Sequence, residues 1–173
     1  MVGFDIESKP CFKKGEFHYP SILQLATADE VFLVKLLEIK DRTALLPFLE
    51  SDMVIKAGVG IRDDVRRLAT LLDFSPGAFM EIGALAQKLG YVKTGLAFLT
   101  EELFGLKLSK RSRLTNWERK ELTSAQVVYA ATDAFLSREI YLELIGKFSE
   151  AELEEITFCT FPSVLPLQEC GLS

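Results

Sequence analysis

Asp5 and Glu7, two acidic residues near the amino terminus, are separated by one residue in a segment where apolar and polar side chains alternate. This alternation predicts a β-strand, which places both carboxylates on one face with their α-carbons roughly 6 to 7 Å apart. Two anions at that separation repel each other, and a cation bound between them would remove the repulsion. The pair could also be the polar face of an edge strand, and the spacing alone leaves this alternative open.

Asp64 is a third acid whose direction follows from helical phase. It aligns with Leu68 and Leu71 at i+4 and i+7, which predicts that it faces the protein interior. Its neighbour Asp63 has the phase of Arg67 instead, so we expect Asp63 to face water and to pair with that arginine. An acid in the first turn also favours the positive end of a helix, but this does not explain an acid on the apolar side.

Asp133 lies in the middle of a long predicted helix, on a stripe that otherwise carries core residues: Tyr129, Asp133, Leu136, Ile140 and Leu144. An unpaired ionised carboxylate buried there would cost on the order of several kcal/mol. The hydroxyl of Tyr129, one turn earlier on the same face, can point into the same pocket as Asp133. A tyrosine at such a position can also be an ordinary amphipathic core residue.

A divalent cation is the most economical partner for acids that converge from separate segments. Oxygen ligands without histidine or thiolate select hard metals, which predicts Mg²⁺ or Mn²⁺. The single histidine, His18, lies in a polar amino-terminal segment and is predicted to be a surface residue.

The hydrophobic period predicts the strands and helices that must position these acids. It is two residues in the first third of the chain and 3.6 residues later. Thr123 and Gln126 form the sequence signature of a capping box and predict the start of the last, long helix. We expect a hairpin within an initial small sheet and an α/β single domain. The predicted strands are 2–7, 22–26, 31–34, 54–59 and 79–82, and the predicted helices are 41–49, 61–72, 83–89, 96–104 and 123–148.

Composition places the chain among globular intracellular proteins. Its 173 residues are 49% hydrophobic and include three widely spaced cysteines, which suggest neither a disulfide framework nor a zinc site. Acids in the first ten residues argue against a secretory leader, and no apolar run is long enough to span a membrane. We therefore expect a cytoplasmic location without membrane association.

Charge is unevenly distributed along the chain. The net charge is −5, but residues 151–173 hold four acids and no base, so the rest is close to neutral. Residues 107–120 carry a local excess of five positive charges and the only tryptophan. This segment is either a solvated loop or a patch for phosphate groups.

Three segments together carry a family resemblance. Residues 3–7 (GFDIE), 58–64 (GVGIRDD) and 129–133 (YAATD) resemble, in the right order, the three motifs of the DEDDy 3′-to-5′ exonucleases. Segments 95–106 and 116–126 also resemble the branch that contains ribonuclease D and the Werner exonuclease domain. The spacing Tyr-x-x-x-Asp is that of the tyrosine subclass.

The resemblance, which covers about residues 2–147, implies an RNase H-like mixed β-sheet flanked by helices, together with roles for five residues. Asp5 would bridge two divalent metal ions, Glu7 and Asp133 would complete the shell of the first ion, and Asp64 would serve the second, partly through water. Tyr129 would orient the attacking water.

The resemblance also implies a nucleic-acid partner with a free 3′ end. Ser8 stands where the family contacts the 3′ nucleotide, and Lys110, Arg111, Trp117 and Lys120 could line the path of a single strand by charge and stacking. Trp117 could equally be a buried structural anchor.

The implied reaction is two-metal-ion hydrolysis of terminal phosphodiester bonds that releases 5′-mononucleotides, with DNA slightly favoured over RNA. The alternative is a non-catalytic module of the same fold that binds nucleic acid or protein. We assign residues 1–150 to the exonuclease-like domain and 151–173 to an acidic and apolar tail, which could pack on the body or meet a protein partner.

Overall fold

The computed structural model describes residues 1–109 and 114–159, which fold around a mixed five-stranded sheet. The strands are β1 (Val2–Ser8), β2 (Pro20–Ala26), β3 (Val31–Lys35), β4 (Lys56–Gly58) and β5 (Phe79–Glu81). The α-helices are α1 (Leu46–Leu49), α2 (Ile61–Leu68), α3 (Ile82–Lys88), α4 (Leu96–Phe104), α5 (Ser124–Ile145) and α6 (Glu150–Glu154). Short 3₁₀ turns cover Leu36–Glu38 and Arg42–Leu45.

The strand order β3-β2-β1-β4-β5 places β1 in the centre of the sheet. β1, β2 and β3 pair antiparallel, whereas β4 and β5 run parallel to β1. The predicted hairpin and mixed α/β architecture are thus confirmed, and the carboxylates of β1 lie where the antiparallel meander meets the parallel pair.

Side chains alternate along β1, and a hydrophobic cluster lies on each face of the sheet. Phe4 and Ile6 pack on one face with residues of α2 such as Val65 and Leu68. On the other face, α5 packs against β1, β2 and β4 and joins α3 and α4 in a second apolar cluster. Asp5 and Glu7 alternate with Phe4 and Ile6, so β1 presents them on the side of α5.

The contact between β1 and α5 is unusually close because both partners are small. A Cβ atom on Gly3 would lie 2.8 Å from the backbone nitrogen of Arg138 and closer still to the carbonyl oxygen of Ala134. Ala130 and Ala134, which face the sheet, are fully buried. The predicted capping box is present, with Thr123 accepting from the amide of Gln126 at 3.2 Å. These features fix the position of α5 relative to β1.

Two predicted helices end earlier than the hydrophobic period suggested. The helix expected over 61–72 ends at Leu68 because the next residues close tight turns, with the amide of Leu71 donating to the carbonyl of Leu68 at 2.9 Å. The helix expected to reach residue 148 ends at Ile145, where the amide of Phe148 turns back to its carbonyl. Apolar residues beyond the two helix ends, such as Leu71 and Phe148, still pack on the core from these turns. The hydrophobic period therefore extends past the end of each helix.

The first part of the predicted tail contacts the body of the protein. Ile156 packs on the cluster around α5, and the amide of Cys159 donates to the carbonyl of Phe79 in β5 at 2.8 Å. Residues 160–173 lie outside the described residues. Among the described helices, none is long and apolar enough to cross a membrane.

Candidate active site

Three carboxylates converge where β1 faces α5. One oxygen each of Asp5, Glu7 and Asp133 lies within 4.8 Å of the other two, close enough to bind a common cation. Asp133 is 8% exposed, in agreement with its predicted inward direction. The sequence prediction that these acids meet is confirmed by this geometry.

Gln24 supports Asp5 from the neighbouring strand. It lies opposite Asp5 in the register of β1 and β2 and is fully buried. With its amide nitrogen toward α5, it donates to Oδ2 of Asp5 at 3.2 Å and to the carbonyl oxygen of Ala130 at 2.8 Å. Sequence reasoning missed this residue, although it is the only strongly polar side chain in the apolar run 22–26.

Asp64 lines the same cleft from the first turn of α2 but is not one of the three clustered carboxylates. Burial raises its pKa from 3.8 to about 8, and the charge of Glu7 adds to the increase, whereas Arg67 opposes it. The predicted direction of Asp64 is thus confirmed. The predicted pairing of Asp63 with Arg67 is wrong: Asp63 is exposed but pairs with Arg66 at 2.9 Å, and Arg67 lines the cleft.

Glu81 fixes the start of α2, which carries Asp64. Its Oε1 accepts hydrogen bonds from the amides of Gly60 at 2.9 Å and Gly83 at 3.1 Å. Gly60 caps α2 with a positive φ of 75°, a conformation that favours glycine. One carboxylate therefore joins the end of β5 to the beginnings of α2 and α3.

Tyr129 reaches the carboxylate cluster from α5. Its ring is half-buried, and its hydroxyl donates to the carboxylate of Asp133 one turn away. Burial and then the charge of Asp133 raise the pKa of this hydroxyl well above its usual range of about 10. The tyrosine is therefore a neutral hydrogen-bonding group at neutral pH.

The cleft has a volume of about 820 Å³ and contrasting walls. The carboxylates and Tyr129 form the acidic side, while Leu96, Phe98 and Leu108 supply apolar surface. Among the described residues, three cationic side chains also line it: Lys9, Arg67 and Lys93. Sequence reasoning did not place these three side chains in the site, because nothing in their local patterns distinguishes them from surface charges.

The predicted nucleic-acid contacts have different outcomes. Ser8 lines the cleft, is 8% exposed, and its hydroxyl has no hydrogen-bond partner among the described residues. Lys110 and Arg111 lie outside the described residues. Lys120 is exposed, but it does not line the cleft, and its carbonyl accepts from Lys35 on the edge strand β3.

The prediction that Trp117 lines the strand path is wrong. The indole is 1% exposed and packs against Ile22, Ala130 and the ring of Tyr129, with the two ring centroids 6.1 Å apart. A buried ring cannot stack on a nucleobase. Trp117 is instead a buried structural anchor that packs against the ring of Tyr129.

Comparison with known proteins agrees with this geometry. A family model described as 3′-5′ exonuclease matches residues 1–148. The chain is 32% identical over 151 residues to the mouse bifunctional 3′-5′ exonuclease/ATP-dependent helicase WRN, covering 83% of this chain and 11% of that protein. It is 28% identical over 151 residues to ribonuclease D of Gluconacetobacter diazotrophicus, covering 85% of this chain and 37% of that protein.

The fold has a solved counterpart. The EXO domain of Aedes aegypti Nibbler superimposes with a TM-score of 0.73 at 27% identity, covering 91% of this chain and 81% of that domain. The chain spans well under half the length of the two relatives named above. Because the family model matches nearly the whole described part of the molecule, the chain belongs to the 3′-5′ exonuclease family.

Proposed function

We propose that this protein is a metal-dependent exonuclease that hydrolyses the terminal phosphodiester bond at the 3′ end of a nucleic acid and releases 5′-mononucleotides. The observation that carries this proposal is the convergence of Asp5, Glu7 and Asp133 within 4.8 Å, with Asp64 lining the same cleft. Four acids that line one cleft are the donor set of a cation site and a poor surface for a phosphate group without bound cations.

The proposal includes two divalent cations, Mg²⁺ or Mn²⁺, and the cluster of Asp5, Glu7 and Asp133 supports the first of them. Asp5, Glu7 and Asp133 would hold one ion, while Asp5 and Asp64 would hold the second. All four supply hard oxygen ligands. When bound, such a pair of ions would lower the pKa of an attacking water and neutralise charge on the leaving 3′ oxygen.

Tyr129 has the properties of a residue that orients water rather than one that removes its proton. Its raised pKa keeps the phenol protonated, and donation to Asp133 fixes the direction of the hydroxyl. The phenolic oxygen can then accept a hydrogen bond from a water beside the carboxylates. Its contribution would be a correctly aligned attack on phosphorus.

Other residues of the cleft suit the substrate. Arg67 and Lys93 can pair with phosphate oxygens, and the apolar wall of Leu96 and Phe98 suits a nucleobase. The Ser8 hydroxyl, buried next to Glu7, can bond to the sugar of the terminal nucleotide. We favour DNA slightly over RNA on likeness to the family alone.

The test is a digestion with a matched pair of variants. The protein, supplied with Mg²⁺ or Mn²⁺, is expected to shorten 5′-labelled single-stranded DNA, recessed duplex DNA or RNA one nucleotide at a time. Asp64→Asn should lose most of this activity, whereas Asp63→Asn, one residue away on the exposed side of α2, should keep it. Failure to shorten any of the three substrates with either metal would refute the proposal, and binding without shortening would favour the non-catalytic alternative.

A further inference from the structure

The loop between β1 and β2, residues 9–19, exposes an unusual amount of aromatic surface. Phe12 is 74% exposed, Phe17 55% and Tyr19 48%. Phe17 and Tyr19 contact each other edge to face, with ring centroids 5.0 Å apart at 88°. Three exposed rings within eight residues form a patch that packing against the other described residues leaves uncovered.

The rings are presented by an ordered loop. One carboxylate oxygen of Glu16 accepts from the amides of Phe12 at 2.9 Å and Lys13 at 3.2 Å. Both ends of the loop are tied to Glu118, which lies 3.6 Å from the ammonium of Lys9 and 3.1 Å from Nδ1 of His18. Because these contacts restrain the loop, a ligand that stacks on it loses less conformational entropy than on an unrestrained loop.

The loop is continuous with the cleft and has the charge of a phosphate-binding surface. Lys9, Pro10 and Cys11 line the rim of the cleft, and Phe12 follows directly. Lys13 and Lys14 are exposed, and neither forms an ion pair with another described residue. Glu16 is the one acid of the loop, and the amides of the turn already engage its carboxylate.

We infer that this aromatic loop binds the single strand that leads away from the cleft, on the 5′ side of the terminal nucleotide. Bases would stack on Phe12 and Phe17, and phosphates would pair with Lys13 and Lys14, a combination that tolerates any sequence. The inference rests on the proposed function, which places the 3′ end at the carboxylates. It accounts for charge and aromatic surface that the reaction at the cleft does not use.

The experiment compares two substrates that extend to different distances from the cleft, and each variant is compared with the wild type on the same substrate. The p-nitrophenyl ester of thymidine 5′-monophosphate occupies the cleft alone, whereas a ten-nucleotide single strand, of DNA or RNA as the wild type prefers, also crosses the loop. The test variants are Phe12→Ala/Phe17→Ala and Lys13→Gln/Lys14→Gln. The controls are Phe32→Ala, a ring of β3 that is 46% exposed, and Lys40→Gln, an exposed lysine.

We expect the aromatic double variant to lower kcat/KM for the ten-nucleotide strand at least about fivefold, since one stacked base is worth about 5- to 150-fold in affinity. Its rate with the p-nitrophenyl ester should stay within about twofold of wild type. The lysine variant should reduce the slope of log KM against log salt by about 1.4, the value for two phosphate contacts to a single strand. Neither control should change any of these quantities.

Equal losses on both substrates, or an aromatic double variant that behaves like Phe32→Ala, would overturn the inference. If the wild type hydrolyses neither substrate, the proposed function fails, and the loop is then judged by the Kd of the ten-nucleotide strand, measured by fluorescence anisotropy. A Kd unchanged by both test variants would show that the loop does not bind nucleic acid.

Discussion

Gly3→Ala is the substitution that most directly tests how the fold assembles the site. Gly3 lies two residues before Asp5, and its missing side chain lets β1 touch the backbone of α5 near Ala134. The obstructing atoms are a main-chain oxygen and nitrogen, so no change of rotamer can make room for a methyl group. Nonbonded heavy atoms in contact lie roughly 3.5 Å apart, and α5 would have to move by on the order of 1 Å.

The expected cost has two parts. Overpacking of this kind destabilises proteins by about 1 to 3 kcal/mol, and in a chain of this size each kcal/mol lowers Tm by about 2 to 4 °C. The same movement separates Asp133 from Asp5 and Glu7. Disturbed support of ligands typically weakens metal binding by about 10- to 100-fold, so the affinity for Mn²⁺ should fall by a similar factor.

The matched control is Gly146→Ala, which makes the same chemical change beyond the end of α5. Gly146 has an ordinary helical φ of −63°, and an added Cβ there would meet its nearest atom at 3.5 Å. Thermal unfolding and Mn²⁺ titration by calorimetry should separate the two variants. If Gly3→Ala matches Gly146→Ala in both Tm and Mn²⁺ affinity, the close contact between β1 and α5 does not position the carboxylates.

Three further predictions concern single groups of the site. Tyr129→Phe should slow turnover of an oligonucleotide while Mn²⁺ affinity stays constant in calorimetry, and a loss of metal binding would show that the hydroxyl is structural instead. Gln24→Leu removes a donor to Asp5 and should weaken Mn²⁺ binding by about 10- to 100-fold; unchanged affinity would mean that the amide does not orient this carboxylate. Asp64 keeps its proton up to a pH of about 8 in the folded metal-free protein but loses it near pH 3.8 in the unfolded chain. The free energy of unfolding should therefore fall as pH rises from about 3.8 to about 8, by at most about 1.4 kcal/mol per pH unit. Urea unfolding in chelator at pH 5 to 9 should show a shallower decline for Asp64→Asn than for Asp63→Asn, and equal slopes would contradict the raised pKa.

The sequence predicted those site residues for which helical or strand periodicity directs an acid toward the interior, where burial of an unpaired charge is costly. Asp133 on an apolar helical stripe and Asp5 beside Glu7 on an alternating strand each required a partner, and the capping box at Thr123 located the helix that brings them together. These predictions succeeded because helical phase and strand alternation fix the direction of a side chain before its neighbours are known.

Residues whose roles depend on contacts between distant segments were not predictable in the same way. Gln24 and Arg67 acquire their roles from the strand register and from the shape of the cleft, neither of which is a local property. The basic segment around Trp117 left open whether its ring lines the strand path or anchors the core, and only the packing of the ring against Tyr129 decides this. The division at residue 150 and the cytoplasmic location stay predictions.

Lys56 illustrates the same difficulty in the core. It is fully buried in β4, where its ammonium donates to the carbonyls of Phe48 at 3.2 Å and Ser51 at 2.6 Å. The charge also lies 5.0 Å from the centre of the Phe79 ring, and burial lowers its pKa to about 8. The apolar residues of 54–59 predict a strand that contains Lys56 and is longer than the observed β4. The carbonyls and ring faces that make the burial of this lysine possible come from other segments, so its inward direction was not predictable.

The rigidity of the β1 and α5 contact explains why the fold can hold its acids together at all. Carboxylates on flexible segments would move apart to relieve their repulsion, whereas here Asp5 and Asp133 extend from backbones that touch at Gly3. The folded state therefore bears this repulsion, and the charge of Glu7 adds to burial, which is the main cause of the raised pKa of Asp64. Burial of Phe4, Ile6 and the apolar residues of α5 provides the opposing stabilisation. Such a site holds its carboxylate ligands together before a cation binds, because folding has already overcome the free-energy cost of bringing them close to one another.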